Sequence, residues 1–266
     1  MADNRAIGIF DSGIGGLTVV SELKKSLPGE SIVYFGDTAR VPYGTKSKDT
    51  VLRFSIENVL FLLKKDVKFI VVACNTASSI ALSEIKNSFR VPIIGVISAG
   101  AKEAAAVTKN KKVGVVGTRA TIASRAYDKE IKQFNKQIKV FGAPCPLFVS
   151  LVEEGWLAHP VTREIARIYL APLAEKNIDT LILGCTHYPL LKSVIARVLN
   201  KKVNIVDSAR QVARQTKAFL SENALSCAPK HSRREYYYVS DDAASFKRVA
   251  RMFLGYNLDT VERVNV

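Results

Sequence analysis

Two of the four cysteines in this sequence lie where an apolar, strand-like run meets hydrogen-bonding residues. Cys74 stands in the run IVVACNT and Cys185 in the run LILGCTH, each ahead of a predicted helix. The positive end of a helix dipole and its free backbone N–H groups favour the thiolate over the thiol. Because a thiolate accepts a proton and a thiol donates one, this pair indicates acid–base chemistry. The alternative is that both are buried core cysteines.

The other two cysteines, Cys145 and Cys227, have no such flanking residues. We expect both to be ordinary buried or half-buried side chains. No cysteine stands at metal-motif spacing from another, and the sequence contains no CxxC pair. The sequence therefore predicts no metal site, and in a reducing cytosol it predicts no disulfide.

A glycine-rich segment, DSGIGG, follows the first apolar run and begins at Asp11. It does not match a dinucleotide-binding GxGxxG loop, because Thr18 stands where the third glycine is required, and it lacks the GK[ST] ending of a P-loop. The glycines instead permit a tight turn that exposes Ser12 and backbone N–H groups to a small anion. Asp11 is interpreted either as a helix cap or as a group that orients a neighbouring acid or base.

Three further places carry residues suited to a site. The loop-like segment GDTARVPYG offers the phenol of Tyr43, or backbone N–H groups near Gly44, to a ligand. His187 is the one histidine beside a candidate nucleophile, although a Cys-x-His spacing does not by itself make a thiol protease pair. Glu153 lies in the apolar run LVEEGW next to Glu154; an exposed helix face is the alternative interpretation there.

These residues must be positioned by regular elements, and short apolar runs alternate along the chain with longer amphipathic ones. This alternation predicts parallel sheets covered by helices, with functional residues just past the carboxyl ends of the strands. Strands are predicted at Ala6–Phe10, Ser31–Phe35, Phe69–Ala73, Ile93–Val96, Lys112–Val116, Lys139–Phe141, Thr180–Leu183, Asn204–Val206 and Tyr236–Val239. Helices are predicted at Leu17–Leu27, Lys48–Lys64, Thr76–Phe89, Thr121–Phe134, Val161–Lys176 and Ala209–Ser221, with Gly255 as a helix C-cap.

A weak internal repeat suggests that the chain contains two similar α/β units. IGIFDS resembles VGVVGT, VYFG resembles KVFG, and IVVACNT resembles LILGCTH, in the same order in both halves. The two cysteines then occupy equivalent strand ends. We predict one lobe from residues 1–98 and 208–266, carrying Cys74, and a second lobe from residues 99–207, carrying Cys185.

Length and charge limit the class of protein further. The 266 residues suit two domains of ordinary size. The net charge of +15 comes from scattered lysine and arginine residues, so a solvated basic surface is a simpler interpretation than a nucleic-acid site. No apolar stretch is long enough for a signal peptide or a membrane span, and we expect a cytoplasmic protein with no membrane contact.

Seven segments in the same order make a more specific pattern, from residue 7 to about residue 209. They resemble the bacterial glutamate racemases of the aspartate/glutamate racemase family. Aspartate racemases share the two-cysteine plan, but the segments DSGIGGLTV and VPYG are more similar to the glutamate enzymes. The segments are FDSGIGGLTV, GDTARVPYG, ACNTAS, VVGTRAT, VEEG, LGCTHYPLL and VDSA.

The resemblance implies a fold and a reaction. The fold is a pair of pseudosymmetric parallel-sheet α/β domains with the active site at their interface. The reaction is the interconversion of L- and D-glutamate without pyridoxal phosphate, metal or nucleotide, and it supplies D-glutamate for peptidoglycan. Homodimers are common in the family, and contact with DNA gyrase or nucleic acid is expected only as a secondary role.

The resemblance also implies residue roles. Cys74 would remove the α-proton of D-glutamate and Cys185 that of L-glutamate, assisted by Asp11, His187 and Glu153, with Glu154 as an alternative register for the last. The substrate-binding residues implied are Asp11, Ser12, Tyr43, Gly44, Asn75, Thr76, Thr118, Thr186 and His187.

Two other classes remain as alternatives at the level of sequence. A thiol hydrolase would use Cys185 with His187, would form an acyl-enzyme, and would not need Cys74. A basic nucleic-acid-binding or inhibitory protein would use the positive charge, and its binding would weaken as salt concentration rises.

Overall fold

Two parallel β-sheets organise the chain in a computed structural model that describes residues 2–200 and 202–266. The first sheet has the spatial order β10-β9-β2-β1-β3-β4 and the second the order β6-β5-β7-β8. The predicted class, two parallel-sheet α/β domains, is confirmed. The strands are β1 (Ile7–Asp11), β2 (Ile32–Gly36), β3 (Phe69–Val72), β4 (Ile93–Gly95), β5 (Lys112–Gly117), β6 (Lys139–Pro144), β7 (Thr180–Gly184), β8 (Asn204–Asp207), β9 (Glu235–Val239) and β10 (Glu262–Arg263).

The internal repeat is visible in the order of the strands. In chain order, β1 to β4 correspond to β5 to β8, and both sets are arranged second, first, third, fourth across their sheets. All the pairings are parallel. The two cysteines follow β3 and β7, which hold the same place in the two arrangements, so the carboxyl ends of equivalent strands carry the two thiols.

All six predicted helices are present, two of them in two pieces. Helices cover both sheets. Among the described residues they are α1 (Leu17–Ser26), α2 (Lys48–Lys64), α3 (Asn75–Ile80), α4 (Leu82–Ser88), α5 (Val96–Val107), α6 (Arg119–Ser124), α7 (Ala126–Phe134), α8 (Leu147–Glu153), α9 (Pro160–Glu175), α10 (Lys192–Val198), α11 (Ser208–Glu222) and α12 (Ala243–Leu254). None of them is both long enough and apolar enough to cross a membrane.

The differences from the sequence prediction have local causes. The predicted helix Thr121–Phe134 is divided because Arg125 adopts a left-handed conformation with φ 55°, which a non-glycine residue rarely does. The helix α5 was not predicted, because its sequence VISAGAKEAAAV is apolar at most positions and only Lys102 and Glu103 are charged. The strand β10 has only two residues, too few for a recognisable pattern. Gly255, with φ 81°, is the C-cap of α12 as predicted.

Two helices carry the chain between the sheets. The helix α5 follows β4 and leads to β5, whereas α11 follows β8 and returns the chain to the first sheet. They pack against each other, so both crossings lie side by side. The division of the chain at residues 98 and 207 stays a prediction; α5 runs through the first of these positions.

A buried ion pair holds the amino-terminal edge of the first sheet. Lys68, just before β3, lies 2.6 Å from Glu30, just before β2, and the two side chains are 0% and 2% exposed. The Lys68 ammonium also donates to the Asp3 carbonyl at 2.6 Å, and Glu30 accepts from the backbone N–H of Cys227 at 2.8 Å. The pair therefore ties two strands to the start of the chain and to the segment before β9.

We expect Lys68→Met to lower the free energy of unfolding by about 3 kcal/mol, because it leaves the Glu30 carboxylate buried without its counter-charge. Urea denaturation measures this change. The double variant Lys68→Met/Glu30→Gln should recover at least half of the loss. As a surface control, Lys25→Met removes the exposed pair with Glu22 and should cost less than about 1 kcal/mol. A double variant as unstable as Lys68→Met alone would contradict the ion-pair explanation.

Candidate active site

The carboxyl ends of strands from both sheets meet at one place. Asp11 ends β1, and its carboxylate accepts from the Thr186 hydroxyl, which follows β7 in the other sheet, at 3.5 Å. Thr76, after β3, lies 2.9 Å from the hydroxyl of Thr118, after β5. Two hydrogen bonds between the lobes thus bring together four of the residues predicted from the sequence.

Cys74 occupies the N-cap of α3. Its sulfur accepts from the backbone N–H of Ala77 at 3.5 Å and lies 3.5 Å from the Ser12 hydroxyl. Burial, and then the nearby charge of Asp11, raise the pKa of the Cys74 thiol to about 12, against the opposing effect of these hydrogen bonds. A negative charge on Cys185 adds to the increase, so the two sulfurs influence each other electrostatically. At neutral pH Cys74 is therefore a thiol, a proton donor.

Cys185 has a different environment, dominated by His187. The Cys185 sulfur lies 3.9 Å from His187 Nδ1, and His187 Nε2 lies 2.9 Å from a carboxylate oxygen of Glu153. Burial lowers the pKa of His187, but the hydrogen bonds to Cys185 and Glu153 outweigh it and raise that pKa to about 10. His187 is consequently an imidazolium at neutral pH, and it lies directly beside the Cys185 sulfur.

The structure distinguishes between the two adjacent acidic residues of the VEEG segment. Glu153, the last residue of α8, pairs with His187, whereas the Glu154 side chain pairs with no basic group in the part of the chain that the structure describes. The Glu153 side chain is 39% exposed and lines a cavity of about 240 Å³, together with Gly13 and the start of α12. The His187–Glu153 pair therefore borders the space that opens to solvent.

Asp11 is fully buried. Burial raises the pKa of its carboxyl group, while the charge of His187 and the backbone N–H groups after β1 act in the opposite direction. The N–H of Gly13 donates to the carboxylate at 3.1 Å. Asp11 therefore interacts electrostatically with both Cys74 and His187. It is not a helix cap.

Two glycines allow the lobes to approach closely. A Cβ at Gly15 would lie 2.2 Å from Thr186 Oγ1 and 2.5 Å from His187 Nδ1. A Cβ at Gly44 would lie 2.6 Å from the Cβ of Thr118. Neither distance is compatible with a side chain, so hydrogen at both positions is required for this packing.

The phenol of Tyr43 is engaged inside the first lobe. Its hydroxyl donates to the Asp37 carboxylate and accepts from Asn58 Nδ2 at 3.1 Å. Burial raises the pKa of Tyr43, and the Asp37 charge adds to this. Of the segment GDTARVPYG, which was predicted to face a ligand, Gly44 is the residue that packs against the second lobe.

Two residues that the sequence did not single out contact predicted site residues. Thr121 lies 3.3 Å from the Thr76 hydroxyl and 3.0 Å from that of Thr118. Tyr127 donates to Asn75 Oδ1 at 2.7 Å. The spacing of Thr121 from Thr118 matches an N-cap hydrogen bond, so the sequence could have indicated this contact. It could not have indicated the contact of Tyr127, because that contact joins distant parts of the chain.

We expect the imidazole of His187 to titrate near pH 10, as followed by ¹⁵N NMR and assigned with His187→Asn. Glu153→Gln should lower this pKa because it replaces the carboxylate that raises it with a neutral amide. Because the pKa is raised above its usual value of about 6.5, the stability contributed by this pair is complete below pH 6 and is lost as pH rises through about 10. Glu154→Gln is the matched control and should leave the titration unchanged; a Glu153→Gln protein with the same His187 pKa would refute the assignment.

Comparison with known proteins agrees with this geometry. The model of the Asp/Glu/hydantoin racemase family matches residues 15–216. A glutamate racemase from Geobacter metallireducens is 50% identical over 262 residues, which cover 98% of this chain and 97% of the relative.

Solved structures give the same result. The crystal structure of glutamate racemase from Francisella tularensis in complex with D-glutamate has 42% identity and a TM-score of 0.93, covering 99% of this chain and 98% of that one. Glutamate racemase isoform RacE1 from Bacillus anthracis has 39% identity and a TM-score of 0.96, with the same coverage of both chains. Identity of this extent, over nearly the whole length of both chains, places this chain in the Asp/Glu/hydantoin racemase family and, within it, among the glutamate racemases.

Proposed function

We propose that this enzyme interconverts L- and D-glutamate by proton transfer between the α-carbon and two cysteines, Cys74 and Cys185. The observation that carries the proposal is the placement of the two thiols, which follow equivalent strands of two sheets whose carboxyl ends meet. One thiol has a raised pKa and the other lies beside an imidazolium. A racemase needs one proton acceptor and one proton donor at the same time, and these surroundings supply them.

In the direction from L-glutamate, the Cys185 thiolate takes the α-proton. The Cα–H bond breaks, an S–H bond forms, and the electron pair moves into the α-carboxylate. The Cys74 thiol then gives its proton to the opposite face of the carbon, which forms D-glutamate and leaves a Cys74 thiolate. The reverse reaction uses the same steps in the opposite order, so no cofactor or metal is required by the proton balance.

The flanking groups suit these two roles. We assign His187, held by Glu153, to stabilising the charge on Cys185, and Asp11 to assisting proton movement at Cys74. The charge that develops on the substrate carboxylate needs donors that are already in place. We propose for this purpose the side-chain hydroxyl and amide groups of Ser12, Asn75, Thr76, Thr118 and Thr186 and the backbone N–H groups of Tyr43 and Gly44, with Asp11 and His187 at the edge of the same site.

We further propose a cytoplasmic enzyme that supplies D-glutamate for peptidoglycan and acts as a homodimer. The product is a D-amino acid, which ribosomal synthesis does not use and peptidoglycan peptides contain.

The second lobe exposes apolar side chains on and between α8 and α9, at Leu147, Trp156, Val161 and Ile168, a surface suited to a partner. Growth of a D-glutamate-requiring bacterial strain tests the cellular role, and sedimentation velocity tests the dimer.

Cys74→Ser and Cys185→Ser should each lower kcat for racemisation of glutamate by at least about 100-fold, because each removes one of the two proton-transfer groups. Circular dichroism follows the reaction from either enantiomer. Cys227→Ser is the matched control, since this thiol lies far from the strand ends, beside Glu30, and it should keep wild-type rates.

In heavy water, each turnover of the wild-type enzyme should place solvent deuterium at the α-carbon. A Cys74→Ser enzyme with wild-type turnover would overturn the two-cysteine mechanism and would favour chemistry that uses Cys185 and His187 alone. Inversion without uptake of deuterium would also contradict it.

A further inference from the structure

The side chain of Asn75, next to Cys74, is held in one orientation by Tyr127. The Tyr127 hydroxyl donates to Asn75 Oδ1 at 2.7 Å, and both residues are buried. An asparagine amide can present either its oxygen or its NH₂ group to a ligand. With Oδ1 occupied, the NH₂ group is the one left for a ligand, and among residues 2–200 and 202–266 it has no hydrogen-bond partner of its own. A carboxylate requires such a donor.

A third residue extends this hydrogen bond into a chain. Ser208, the first residue of α11, places its hydroxyl 3.0 Å from that of Tyr127. A phenol has one proton, and because Tyr127 gives it to Asn75, Ser208 is the donor to Tyr127. The resulting chain, from Ser208 through Tyr127 to Asn75, polarises each hydrogen bond in the same direction. Burial raises the pKa of Tyr127, so the phenol keeps its proton.

The ring of Tyr127 is fitted between two glycines. A Cβ at Gly184 would lie 3.1 Å from Tyr127 Cε2, and a Cβ at Gly100 would lie 3.4 Å from Cε1. A Cβ at Gly100 would also lie 2.6 Å from Ser208 Oγ. Since Gly184 immediately precedes Cys185, the ring packs against the strand end that carries one thiol. The hydroxyl at the other end of the same side chain bonds the residue that follows the other thiol.

We propose that Tyr127 is a positioning residue for the substrate carboxylate: it turns the Asn75 amide so that its NH₂ group donates, and it holds that amide in register with the strand end of Cys185. This inference rests on the proposed function, in which Asn75 binds a carboxylate of glutamate. Tyr127 acts through Asn75 and does not touch the reacting atoms. Its contribution should therefore depend on the presence of the Asn75 side chain.

Tyr127→Phe should lower kcat/KM for glutamate by about tenfold, mostly through a higher KM, because it keeps the ring and removes the hydrogen bond. Ser208→Ala should change kcat/KM in the same direction by a smaller factor. Tyr169→Phe is the matched control in the same lobe. Its hydroxyl accepts from the backbone N–H of Leu147 at 3.4 Å, and its loss should leave kcat/KM unchanged. Thermal melting checks that each variant is folded.

A double-mutant cycle with Asn75→Ala decides between positioning and a general structural role. If Tyr127 acts through Asn75, Tyr127→Phe should change kcat/KM less than twofold in the Asn75→Ala background. An equal loss in both backgrounds would overturn the inference. If Tyr127→Phe does not fold, the same cycle with Ser208→Ala decides, because that variant keeps the whole tyrosine.

Direct binding of glutamate by calorimetry gives a readout besides activity, and Tyr127→Phe should raise the Kd by about the factor by which KM rises. A wild-type enzyme that binds glutamate without racemising it would refute the proposed function. In that case a Kd unchanged in Tyr127→Phe would refute the positioning role, and a Kd raised only when Asn75 is present would support it.

Discussion

The close approach of two glycines to the opposite lobe is the constraint on which the site depends. Gly15 faces Thr186 and His187, and Gly44 faces Thr118, at distances that leave no room for a Cβ. Acid–base groups on separate sheets can act on one small molecule only if the sheets meet at the ends that carry them. The Asp11–Thr186 and Thr76–Thr118 hydrogen bonds cross this contact, and side chains at these two positions would force the lobes apart.

The burial of Asp11 and both thiols gives the site its electrical asymmetry. The same loss of solvent raises the pKa of Cys74 and of Asp11, and it would lower that of His187 were its two partners not present. The imidazolium of His187 therefore lies beside Cys185, while Cys74 keeps its proton. Both groups are cysteine thiols, and only their neighbours make them different.

The fold could be predicted from sequence wherever a local pattern reports on it. Nine strands were located because each is a short apolar run between polar segments, and the repeated motifs indicated which cysteines share a strand position. Contacts between distant segments could not be predicted in this way. The choice of Glu153 over Glu154 depends on where α8 ends, and the role of Tyr127 depends on two lobes meeting at Asn75. The helix α5 was missed because it packs against both lobes and has too few polar residues to reveal a helical period.

The repeated strand order has a consequence for how such a site can change over time. In the repeat, Asp11 corresponds to Gly117 and His187 to Thr76, so each of these two ionisable residues has a counterpart that carries no charge. Two identical subunits around a two-fold axis could not be arranged like this, because every substitution would occur beside both thiols. With both copies in one polypeptide, each half can acquire its own mutations. Inheritance as a single gene thus lets a symmetric scaffold surround its two thiols with different neighbours.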